Sequence, residues 1–358
     1  MDSTDYEKEN RIFTYLNEEI DKCIANKKDD VNYDFIEKAS KNYLKSDNIV
    51  NKPNNEYVIN MPMDRTIKTM LCFFKSIDEV FYNQAKDIIE QKSKTELKIY
   101  EKEKMQNIEQ RDKEGFAIYT DHPCIESNGK KSVIHIHKTE KIIDIYAIVH
   151  EIAHTFCNNK NNNFRAMYTE NLSIFFEKLL SEFLIENINS QQLNMEVQNR
   201  TNEFSSYYNK NALEISLKTK LTRIKQENGV IKRQDMINCQ NEYDKESYQI
   251  LNLIAAFDNN MNYSSRYVIG DLISSRMVTN YELDPNSTVI KLKEYISYMN
   301  AGNCKEALEC FDIKLEDSCI VSLINDKNDY YKKLSNEKSK NSIINTIKEN
   351  DKSDLENR

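Results

Sequence analysis

Glycine and proline are nearly absent from this chain, with 5 and 4 copies in 358 residues. Average usage would give about 25 Gly and about 18 Pro. Sheets joined by tight turns depend on these residues, because glycine enters positive φ cheaply and proline presets a corner. A chain this poor in both is unsuited to a sandwich, a barrel or a large doubly wound sheet. The expectation is a mostly α-helical fold. The same scarcity removes glycine-rich phosphate cradles: neither G-x-G-x-x-G nor G-x-x-x-x-G-K-[ST] occurs.

The length suffices for two ordinary domains or one large lobe. A formal net charge of −8 argues against nucleic-acid or anionic-membrane partners. No apolar run approaches the roughly 18 residues needed to span a bilayer. The opening MDSTDYEKEN lacks the basic and apolar regions of a signal peptide. Eight scattered cysteines (23, 72, 124, 157, 239, 304, 310 and 319) form no C-x-x-C pair. They read as reduced, mostly buried thiols in a cytoplasmic protein.

Residues 5–27 and 34–46 read as helices, and 48–62, with NKPNNE and MPMD, as a linker. Between 63 and 112 there is no Gly or Pro. Ile67, Met70, Leu71, Phe74 and Ile77 recur at helical spacing. The highly charged stretch 90–112 reads as the solvated part of one or two long helices. Two of the five glycines and one of the four prolines fall within 115–137. There SVIHIH alternates around β-branched residues, predicting a short strand in a small antiparallel sheet. Helical patterning resumes at Ile142. Breaks are expected near Asn158–Asn163, Gly229, Asp258–Asn262, Asp284–Pro285 and Ala301–Asn303. The expected organisation is a helical N-terminal region over 1–112 packed on a catalytic domain over 113–345, with a polar tail over 346–358.

One local pattern carries chemistry: His150-Glu151-Ile152-Ala153-His154, within the apolar stretch IIDIYAIVHEIAHTF. On a helix, residues i and i+4 share a face, so both imidazoles can reach one Zn²⁺ at about 2.0–2.1 Å. Glu151, turned partly round the helix, can take a proton from a zinc-bound water. A buried pair of histidines with a glutamate would be costly without a partner.

Zinc needs a third protein ligand. The histidines are 122, 135, 137, 150 and 154, so none follows the motif. A carboxylate of a following helix remains, and residues 173–187, SIFFEKLLSEFLIEN, form one. Glu177 lies among Phe175, Phe176, Leu179 and Leu180, where a carboxylate is expensive unless paired or metal-bound. It is the expected ligand, with Glu170, Glu182 and Glu186 as competitors.

Three stretches resemble the thimet-oligopeptidase and oligoendopeptidase-F family of zinc peptidases. SVIHIHKTEKIIDIYAIVHEIAHTF is similar to the family's strand, connection and zinc helix, with Asp144 six residues before His150. Glu177, 23 residues after His154, falls near the family's glutamate ligand. Tyr267-Val268-Ile269-Gly270 resembles the family's Y-x-x-G helix. Tyr298 to Gly302 and Phe311-Asp312-Ile313 resemble its later segment. The likeness covers roughly residues 115–335, and the chain is shorter than usual members, chiefly at its N-terminal side. Ala153 stands where glycine is common, and Cys157 lies near the place of an additional histidine. LIAAFDNNMN, before the tyrosine motif, lacks the family's histidine.

The resemblance implies a helical zincin-type peptidase lobe with a small antiparallel sheet beside the zinc helix. Zn²⁺ would be held by His150, His154 and Glu177, with Glu151 as general base. Tyr267, or Tyr263 one turn earlier, would donate to the developing oxyanion. The strand, with Ile136 and His137, would pair with an extended peptide substrate. The implied activity is a metalloendopeptidase acting on oligopeptides. Rival readings are a protease or effector dedicated to one protein, and an inactive binding protein, which the intact H-E-x-x-H disfavours.

Overall fold

A computed structural model describes residues 3–25, 32–46, 57–101, 167–188, 190–256 and 261–335. It also describes 111–157 apart from 112, 115, 118, 119, 121 and 129. The expected break near Asn158–Asn163, the tail over 346–358 and most of the linker lie outside the described residues.

The helices are α1 (Ser3–Ala25), α2 (Tyr33–Lys45), α3 (Met63–Ile77) and α4 (Glu79–Ile89). Three strands follow: β1 (Thr95–Glu101), β2 (Cys124–Ser127) and β3 (Ser132–Lys138). Then come α5 (Ile143–Phe156), α6 (Glu170–Asn187), α7 (Gln191–Asn228), α8 (Arg233–Tyr243) and α9 (Ser247–Ala256). The chain continues through α10 (Met261–Leu283), α11 (Pro285–Ala301), α12 (Cys304–Glu309) and α13 over 317–335. The mostly α-helical expectation holds.

Helix ends fall where turn chemistry puts them. Gly229 ends α7 at φ +76°, a conformation open to glycine at little cost. Asp284 caps α11 by accepting from the Ser287 N–H at 3.1 Å, with Pro285 at the first helical position.

The sheet has the order β1-β3-β2 and is mixed, not wholly antiparallel: β2 runs antiparallel to β3, but β1 runs parallel to it. β1 lies inside the charged stretch expected to be helical. Leu97 and Ile99 alternate there with Glu96, Lys98 and Tyr100, a period of two that suits an edge strand. β3 is therefore central. β1 pairs along its whole length, and β2 covers Ser132–His135. Addition of a substrate strand to that part of β3 is closed.

Two apolar clusters hold the helices. The larger joins α2 through α6 and β3 to α7 and α10–α13. Phe73, Phe74, Phe81, Phe156 and Phe176 meet in it with ring centroids 5.0 to 6.4 Å apart. Each buried ring contributes on the order of 1.5–3 kcal/mol, so the C-terminal end of α5 is clamped firmly. The smaller cluster packs α1 against the later part of α7, α8 and α9.

All eight cysteines are free, but only Cys23, Cys239 and Cys304 are buried, fewer than expected. Among the described residues no helix is long and apolar enough to cross a membrane.

Candidate metal centre

The centre is assembled from α5, α6 and α10. The turn from β3 into α5 is fixed by Asp144, which is buried. Its carboxylate accepts from the backbone N–H groups of Thr139 and Glu140 and from the Thr139 hydroxyl. Burial pushes its pKa up despite those hydrogen bonds. This sets the helix in register with the sheet two turns before His150. Tyr146 then ties α5 to α6, its hydroxyl 2.9 Å from Ser181 Oγ, which donates to the Glu177 carbonyl.

His150 and His154 converge as their spacing requires, with Nε2 atoms 3.0 Å apart. The third group in the cluster is Glu170, not Glu177. Glu170 Oε2 lies 3.3 Å from His150 Nε2 and 3.6 Å from His154 Nε2. Among the described residues these three are the only His, Cys, Asp or Glu side chains that converge closely enough to hold a metal. Ligands at about 2.0–2.1 Å in a tetrahedron stand about 3.3–3.4 Å from one another. The observed 3.0, 3.3 and 3.6 Å bracket that edge.

Glu177 serves the other side of the same imidazole. Its Oε1 lies 3.2 Å from His150 Nδ1. His154 Nδ1 lies 3.1 Å from Ser173 Oγ. Glutamate can only accept, so Glu177 holds a proton on His150 Nδ1 and leaves Nε2 as the nitrogen that could ligate a metal; Ser173 can hold His154 likewise. The two Nε2 atoms and Glu170 Oε2, which is buried, face one point. A proton or a metal cation at that point can satisfy all three atoms. The hold on each Nδ1 is the usual outer support of a metal-bound histidine.

The carboxylates and imidazoles also act on one another electrostatically. Burial alone would raise Glu170, but the nearby His154 and His150, with Arg266, push it down to about 2. Burial would lower His150, yet Glu177, Glu170 and Glu151 hold it well above the ordinary histidine range. Burial holds His154 below that range, with His150 and Arg266 pushing the same way. Glu151 is buried and makes no hydrogen bond or ion pair among the described residues. Its charge bears on both imidazoles.

α10 forms the facing wall. A Cβ on Gly270 would stand 2.8 Å from Ile174 Cδ1 and 3.2 Å from Glu170 Cβ. The missing side chain is what lets α10 press on α6 at Glu170. One turn earlier lies Tyr267, its ring centroid 5.5 Å from Tyr263 and 5.1 Å from Tyr207 of α7. Burial, then the Glu170 charge and the neighbouring tyrosines, hold the Tyr267 hydroxyl far above its usual pKa. Both expected tyrosines thus lie in the wall of the centre. Tyr207 joins them without a sequence signal, since an aromatic on a 38-residue helix reads as packing.

The remaining expected residues lie elsewhere. Glu182 pairs with Lys333 at 2.9 Å, and Glu186 is exposed on another face of α6. Ile136 is fully buried in the larger core, so its side chain lines no cleft. His137 and His135 share the opposite face of β3, with Tyr100 between them at 5.7 and 5.8 Å.

No family model and no curated protein matches the sequence. In fold the chain is similar to a putative peptidase from Chlamydophila abortus, with 13% identity and a TM-score of 0.58 over 91% of this chain and 55% of that one. A putative oligoendopeptidase F from Bacillus anthracis str. Ames matches at 11% identity and a TM-score of 0.45, over 78% of this chain and 47% of that one. The chain spans about half the length of these structures. It shares the helical fold of the first, and on that fold it carries a His-His-Glu cluster fit for a metal.

Proposed function

We propose that the protein is a zinc metallopeptidase in which His150, His154 and Glu170 hold the metal. The observation that carries this reading is the triangle of ligand atoms with tetrahedral edges, each imidazole supported on its other nitrogen. Two nitrogens and one carboxylate oxygen suit zinc and leave a fourth position open. When bound, zinc would act as a Lewis acid toward the scissile carbonyl and lower the pKa of water.

The chain's own residues supply the rest. Glu177 and Ser173 fix the orientation of the two imidazoles. Glu151, adjacent to a ligand and without a partner of its own, accepts the proton of the attacking water and passes it to the leaving amine. Tyr267 or Tyr263 donates to the oxyanion from the α10 wall. The similar fold of a putative peptidase supports a peptide substrate.

Metal analysis combined with digestion of a mixed oligopeptide pool tests this. The expected result is about one zinc per chain and chelator-sensitive cleavage. Glu151→Gln should keep the metal and lose activity by on the order of 10³. Absence of zinc uptake, or near-normal turnover by Glu151→Gln, would refute it.

A further inference from the structure

Arg266 is a cation that the proposed chemistry does not use. It lies one turn before Gly270 on the stripe of α10 that abuts Glu170. Its guanidinium stands 5.4 Å from the centroid of the Tyr263 ring. It is close enough to lower the pKa of both His154 and Glu170. Yet it forms no ion pair or hydrogen bond among the described residues, and its Nε is buried without a partner.

A guanidinium partly enclosed and unpaired is costly, and a planar acceptor with two oxygens satisfies its fork best. The Tyr263 ring lies within cation–π reach at 5.4 Å, and the planar fork of the guanidinium suits a two-oxygen acceptor. The three glutamates of the centre already have places: Glu170 in the cluster, Glu177 on His150, and Glu151 beside both imidazoles. Among the described residues no carboxylate pairs with the Arg266 guanidinium, which leaves it open to an anion on a bound ligand.

We propose that Arg266 forms a subsite for a carboxylate carried by the bound peptide. A peptide has two sources of that group, the C-terminal α-carboxylate and an acidic side chain. The first would fix cleavage at a set distance from the C-terminus, whereas the second would select acidic sequences. The inference rests on the peptidase reading for the nature of the ligand, not for the subsite's charge.

Fluorescence anisotropy with three dansylated pentapeptides tests it: a free acid without acidic residues, its C-terminal amide, and that amide with one internal Glu. They are titrated into the metal-free chain and into zinc-loaded Glu151→Gln. At least one carboxylate peptide should bind roughly 10- to 100-fold more tightly than the neutral amide, as expected for hydrogen bonds to a charged group. Which one does so identifies the source. Arg266→Met should bring the preference within about twofold, and Arg266→Lys should retain part of it. Equal affinities for all three peptides, no binding in either form, or a preference that survives in Arg266→Met would overturn the subsite. A uniform loss of turnover in Arg266→Met with unchanged affinities would also overturn it, making the residue an oxyanion donor. Carboxylate preference without hydrolysis by the zinc-loaded wild type would leave the subsite standing and remove the peptidase reading. Hydrolysis without preference would do the reverse.

Discussion

Replacing Glu170 and Glu177 in parallel separates a metal ligand from the group that orients one. Structural zinc binding releases about 10–16 kcal/mol over four ligands, or about 3–4 kcal/mol each. Loss of the Glu170 oxygen should therefore weaken zinc by roughly 10²–10³-fold. In the proposed site Glu177 would reach the metal only through His150, and outer-shell losses cost about 10–100-fold. The ranges meet, so the conservative variants decide. Glu177→Gln keeps a carbonyl oxygen able to accept from His150 Nδ1, 3.2 Å from the present carboxylate oxygen, and should cost under about tenfold. Glu170→Gln loses the only anionic ligand and should lie near its alanine counterpart.

Competition with a chromophoric chelator gives the affinities. A second readout is independent of affinity. Visible absorption of the cobalt-substituted protein follows coordination number and ligand type, so it should change in Glu170→Gln and not in Glu177→Gln. If Glu177→Gln alters the cobalt spectrum and loses zinc while Glu170→Gln does neither, Glu177 is the ligand and the geometric argument fails.

Two further outcomes follow from the surroundings of the centre. Tyr267→Phe should lower kcat by roughly 10²–10³ with KM little changed, the usual cost of an oxyanion donor, and Tyr263→Phe by under about tenfold; steady-state kinetics with the reverse ranking would move the role one turn along α10. His135 is held below the ordinary histidine pKa by burial, outweighing the Glu126 carboxylate 3.3 Å away. Its contribution to stability is therefore present above the unfolded pKa of about 6.5 and is lost as pH falls through the lower folded value. Melting of metal-free wild type and His135→Asn should show their Tm difference shrinking on acidification, and a difference independent of pH between about 7.5 and 5 would contradict the assignment.

Helix boundaries were legible because the few turn residues mark them. Gly229 and Asp284-Pro285 each end or start a helix by a known backbone preference. β1 was not legible, since Glu96, Lys98 and Glu101 resemble a solvated helix face when counted as charges and reveal a strand only through the alternation of Leu97 with Ile99. The direction of β1 in the sheet depends on a partner some 37 residues away, as in the pairing of Lys98 with His135.

At the centre, the two histidines and Glu151 were fixed by spacing on one helix. Choosing the third group of the cluster needed more. Hydrophobic flanks measure burial, and Glu170 and Glu177 are equally buried, at 5% exposure each. They differ in which nitrogen of His150 each faces, a matter of how α6 crosses α5. That crossing is coupled to α10 through Gly270, whose absent Cβ leaves room for the side chains of Ile174 and Glu170. The tyrosine stripe and Glu170 are thus parts of one packing contact. The Y-x-x-G pattern carries information about Glu170 that no residue near Glu170 in the sequence displays.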